Sequence, residues 1–150
     1  MLALAEVENR LGGFVGDVAG ALAYSIIGII LMVLGFFIVD WLTPGKLGEL
    51  IWTQRNRNAA LLLSSNLLGV GLIVVGAIWA SEGNLVAGVI STFVFGVIGL
   101  GAMAVSFLIL DAITPGKLGA LVVDEEPHPA VWVSSAMHVA LGGVIAMALS

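Results

Sequence analysis

The chain has 150 residues, of which 60% are apolar and 10% charged, where soluble globular domains carry about 25% charged residues. With a mean hydropathy of +1.15, an ordinary water-soluble fold is excluded and most side chains must face lipid. The absence of cysteine excludes a disulfide framework, a Cys-ligated zinc and an iron–sulfur cluster, and a formal charge of −5 excludes a nucleic-acid surface.

Residues 1–17 carry Glu6 and Glu8 and lack the basic n-region and cleavage site of a secretory signal. They are expected to be retained as an extracytoplasmic segment, with 2–17 forming a short interfacial helix leading into the first span and Asp17 either capping the N-terminus of that span or ringing a pore mouth. Charges then divide the chain into four uncharged stretches, 18–39, 58–81, 83–110 and 127–150. A hydrocarbon core of about 30 Å needs about 20 apolar residues at about 1.5 Å each, and a backbone in lipid must bond to itself. The predicted spans are 18–41, 58–80, 86–110 and 130–149, with a tight turn over 81–84. A β-barrel requires alternating apolar and polar positions, whereas 26–39 is apolar on every face. The expected fold class is an all-α integral membrane protein with four transmembrane helices.

Lys46, Arg55 and Arg57 lie between spans one and two and Lys117 between spans three and four, while Arg10 alone lies on the other side. The positive-inside rule therefore predicts two cytoplasmic loops and two extracytoplasmic termini. Trp41, Trp52, Trp79 and Trp132 fall at span ends or in a loop, the headgroup level such rings prefer.

A shift of 71 residues superimposes the two halves: Asp40 falls on Asp111, and Thr43-Pro44-Gly45-Lys46-Leu47-Gly48 falls on Thr114-Pro115-Gly116-Lys117-Leu118-Gly119. The predicted units are a first two-helix repeat over 18–80 and a second over 86–150, within one membrane domain. An even number of spans per unit gives both the same orientation, so their pseudo-twofold axis follows the membrane normal. Pro stops each helix, and Thr-Pro-Gly-Lys suits a type II turn with Gly at the position needing positive φ. Lys46 and Lys117 then sit near helix C-terminal ends, within reach of lipid phosphate or of Asp40 and Asp111.

This duplicated Asp-x-x-Thr-Pro-Gly-Lys-Leu, followed in the first half by Arg55-Asn56-Arg57-Asn58-Ala59-Ala60, resembles the YjfL family of small bacterial inner-membrane proteins, a family of unknown function. The second half departs from the pattern, with His128-Pro129-Ala130 in place of the Asn-Ala opening. The resemblance, over roughly residues 20–150, implies a bacterial plasma-membrane location and a non-enzymatic component. Some relatives are associated with envelope-stress or polyamine-related genes.

His138 lies about 12 Å into the fourth span, near the midplane. Asn66 is at similar depth in span two, and the two are expected to meet across the pseudo-twofold axis, either as hydrogen-bonded packing or as a proton or ion site. No partner stands at ligand spacing from His138, so no metal and no cofactor is predicted. Gly12, Gly16 and Gly20, then Gly88, Thr92 and Gly96, then Ser134, His138, Gly142 and Ala146 recur every four residues. Such stripes let helices approach closely within a chain or between chains.

The spans hold no His-x-x-x-His, no phosphate loop and no carboxylate pair, which argues against an enzyme. Two expectations remain. One is an oligomeric accessory or structural subunit whose Thr-Pro-Gly-Lys loops contact a partner; its partners are the bilayer and either copies of itself or another membrane protein. The other is a small oligomeric channel or transporter using Asp40, Asp111 and His138.

Overall fold

The computed structural model describes residues 2–81 and 84–149, and the predicted 81–84 turn has its centre, Glu82 and Gly83, outside them. The described residues form helices α1 (Leu2–Leu42), α2 (Arg57–Trp79), α3 (Leu85–Ile113), α4 (Leu118–Val123) and α5 (Pro129–Leu149), with a π-helical turn at Glu49–Thr53 between α1 and α2. Four of these helices are long and apolar enough to cross a membrane.

Three spans match the sequence reading to within a few residues, and the first differs. The N-terminal segment and span one are a single 41-residue helix, about 60 Å long and roughly twice the hydrocarbon thickness. No proline occurs before Pro44, and the cost of Gly12 and Gly13, about 1 kcal/mol each against alanine, does not break a helix of this length. Asp17 therefore sits in mid-helix, exposed, and caps nothing. Residues 2–17 are helical and run without a break into the first span.

Pro44 and Pro115 end α1 and α3, with Thr114 forced into extended backbone at φ −83° and ψ 120°. Asn56 opens α2 by accepting the Ala59 N–H at 2.9 Å, and Asn84 opens α3 by accepting that of Ala87 at 3.2 Å. At the start of α5, His128 Nδ1 accepts the Ala130 N–H at 3.1 Å, with Pro129 in the first-turn position it favours.

Helices α2 and α3 form the middle of the bundle, each packed against both α1 and α5. Small residues set the spacing. A Cβ on Gly142 would lie 2.5 Å from the Gly69 Cα, and one on Gly76 would lie 2.6 Å from the Ala146 Cα, so α2 and α5 meet backbone to backbone. Gly96 makes room for Leu31 of α1, and Gly88 for Tyr24. Outward-facing residues such as Ile29, Phe37, Leu68, Val75, Ile98 and Val144 are exposed, as a surface solvated by lipid requires.

Candidate functional site

Among the described residues most buried polar side chains lie at the Pro-Gly end of the bundle and at its centre, with Thr92 buried near the start of α3, bonded to the Gly88 carbonyl. At the Pro-Gly end, Gly45 and Gly116 have φ of 96° and 89°, the left-handed conformation the type II turn demands. After each turn the chain folds back into a short helical segment. Asp40 Oδ1 accepts the Leu47 N–H at 2.6 Å, and Asp111 Oδ1 accepts the Gly119 N–H at 2.8 Å. Each carboxylate thereby satisfies a donor that no earlier carbonyl can reach. Lys46 and Lys117 stay exposed, and the expected Asp–Lys pairing does not form; the ion pair among the described residues joins Arg10 to Glu6 at 3.6 Å. A donor buried at the start of a helix needs a protein acceptor, whereas an exposed ammonium is satisfied by water. Asp40→Ala and Asp111→Ala should each lower stability by about 1 kcal/mol, with Asn in the same places losing less; thermal unfolding in detergent checks this.

Asn58, 2% exposed, clamps this end together. Its Nδ2 donates to the carbonyls of Leu121, Asp124 and Glu126 at 3.1, 3.2 and 2.8 Å, and its Oδ1 accepts the His128 N–H at 3.1 Å. Asn56 Nδ2 donates to the Val123 and Asp124 carbonyls at 3.0 and 2.9 Å. The Asn-x-Asn of the first half thus holds the α4–α5 connection of the second. The His128-Pro129 departure is the surface these amides grip.

In the bundle centre, Asn66 and His138 are each 2% exposed and line one cavity of about 10 Å³ with Ile38, Val39, Leu42, Met103, Ala104 and Phe107. All four spans contribute to it. Asn66 Nδ2 donates to Met103 Sδ at 3.7 Å, while Asn66 Oδ1 and both ring nitrogens of His138 have no hydrogen-bond partner. The volume matches about one water molecule. The structure therefore brings Asn66 and His138 to one site, but through a shared polar cavity and not through a direct bond. Asp40 and Asp111 do not line it; their carboxylates bond the backbone after the Pro-Gly turns.

The chain matches, over residues 12–149, the family profile described as Domain of Unknown Function (DUF350). The chain belongs to this family. A UPF0719 transmembrane protein of Mycobacterium bovis is 34% identical over 133 residues, 89% of this chain and 88% of the relative. One of Mycobacterium tuberculosis is likewise 34% identical over 133 residues, and one of Mycolicibacterium paratuberculosis is 31% identical over 127 residues, 85% and 84% of the two chains. No solved structure matches the chain. The relatives are named as transmembrane proteins, in agreement with the 4 candidate spans here; this DUF350 chain is a multi-pass membrane protein.

Several residues that shape the sites of the DUF350 chain escaped the sequence reading. Gly35 of α1 gives space to Asn66, whose Oδ1 would lie 2.8 Å from a Cβ there. Gly69 admits the His138 carbonyl, 2.7 Å from where its Cβ would stand. A partial signal existed, since Gly35 and Gly28 are small positions seven apart in an otherwise bulky span. Among the described residues no three His, Cys, Asp or Glu groups converge on a metal position. Gly88, Gly96 and Gly142 pack helix on helix, whereas Gly16 has nothing within 4 Å and Gly20 meets Leu85 Cδ1 at 3.7 Å.

Proposed function

We propose that the protein is a non-enzymatic, self-associating structural or accessory subunit of the bacterial inner membrane. The observation that carries this reading is the length of α1: 41 residues, with everything from Glu8 to Ala19 exposed among the described residues. The basic residues support an orientation with the Pro-Gly ends in the cytoplasm and both termini outside. The duplicated motif supports two tandem units of one orientation, in line with the resemblance to the YjfL proteins, and the stress association of some of those relatives is a setting in which such a subunit would act. The interior supports the non-enzymatic part. Ser134 and Ser135 stand one turn from His138, yet neither hydroxyl is bonded to the imidazole, and a nucleophile needs that contact with its base.

A second reading, a small proton or ion conduit, is favoured by one observation: three unpartnered polar atoms of Asn66 and His138 face a cavity shared by all four spans. Proteoliposomes separate the two. The subunit reading expects a pH or monovalent-cation gradient to decay no faster than in protein-free vesicles, with His138→Ala indistinguishable from the parent. A flux that His138→Ala abolishes would replace it with the conduit.

A further inference from the structure

We infer that one face of α1 is a parallel self-association seam, whose occupant is the α1 helix of a second copy. The inference rests on the self-association reading above and names its surface. Leu11, Phe14 and Val18 are 59%, 65% and 42% exposed and follow the three-and-four spacing of a heptad seam. Ala21, Ser25, Gly28 and Met32 keep the same register into the membrane. The intramembrane four line an open groove of about 530 Å³ against Val74 and Ile78 of α2. Ser25 Oγ donates back to the Ala21 carbonyl at 2.7 Å, which removes its polarity from that groove.

The change from Leu11, Phe14 and Val18 to Ala21, Ser25 and Gly28 along this face falls near the level of the α2–α3 connection. Ser81 and Asn84, from the connection between α2 and α3, lie alongside Gly16, Asp17 and Tyr24, so the residues before Gly16 project beyond the described residues of that connection. In water, association is driven by burying large apolar side chains. In lipid that drive is gone, and small residues that allow close backbone approach replace it. The seam meets both conditions, each on its own side of the boundary.

This pattern selects the occupant. A soluble partner would cover Phe14 and leave the intramembrane groove open; an acyl chain would fill the groove and leave Phe14 in water. A helix crossing the boundary parallel to α1 covers both. Copies inserted with one orientation present such helices to each other in register, and a heptad face is complementary to itself. The glycines at 12 and 13 lie about a third of a turn from the seam, and Gly16 about half a turn.

The chain has no cysteine, so single-cysteine variants of the full-length protein report contacts without background. Disulfide formation is induced in intact membranes for Leu11→Cys, Phe14→Cys, Val18→Cys, Ala21→Cys and Ser25→Cys, and for Gly13→Cys and Gly16→Cys on the opposite face. The seam predicts same-position dimers at the first five, several-fold above the glycine positions. Uniform cross-linking, or dimers concentrated at the glycine positions, would overturn it. Absence of dimers at every position would overturn it as well, and the copy number measured by mass on the parent protein then shows whether self-association survives through another face.

Discussion

Gly142→Ala should cost more than about 3 kcal/mol, and Gly142→Leu should yield no folded protein. The added carbon has no flexible side chain to displace: it would stand 2.5 Å from both the Cα and the carbonyl oxygen of Gly69. Overpacking a core against movable side chains costs about 1–3 kcal/mol, and here the obstacle is the backbone of the neighbouring span. Relief requires α2 and α5 to separate, which also opens the packing between Gly76 and Ala146. Gly143 provides the control, because nothing lies within 4 Å of a Cβ there. Gly143→Ala should change stability by no more than about 1 kcal/mol, and in the stabilising direction, since alanine is the better helix former. Unfolding midpoints of the two variants in one detergent check the contrast.

Asn58→Ala should destabilise the protein by about 3 kcal/mol. Removing the amide leaves the His128 N–H without its acceptor and takes the Asn58 donor from the Leu121 and Glu126 carbonyls, while the Asp124 carbonyl keeps its bond to Asn56; a buried group so orphaned costs about 1–3 kcal/mol. Asn58→Asp should be no milder. The carboxylate can still accept from His128, but its second oxygen meets three carbonyl oxygens and offers them no hydrogen. Limited proteolysis in the α4–α5 connection gives an independent readout, with cleavage rising in both variants while the spans stay protected.

Much of this architecture is legible in the sequence. Span positions follow from the spacing of charges, since nothing but a helix is viable across lipid, and the turn glycines at 45 and 116 follow from the chemistry of Pro-Gly. The short helical segments after those turns were not legible. Glu49–Thr53 and α4 have 5 and 6 residues, too few to show a helical period, and they exist because Leu47, Leu50, Leu118 and Val122 bury themselves under the bundle. The role of Asp40 and Asp111 was hidden for the same reason, because the N–H groups they accept belong to those segments. The continuity of α1 was misread from its charges. Glu6, Glu8, Arg10 and Asp17 mark where water begins, and a helix does not have to stop there.

At the centre, depth alone paired Asn66 with His138. What depth does not disclose is whether two polar groups bond directly or face a common cavity, since that depends on how closely Gly35 and Gly69 let the spans approach.

Self-association is the claim on which the functional reading stands, and native mass spectrometry of the full-length protein released from membrane nanodiscs or mild detergent tests it most directly. The account predicts a discrete multimer of the chain, with or without a second protein bound, that persists on dilution. A protein that is monomeric at every concentration, with lipid alone attached, would contradict it.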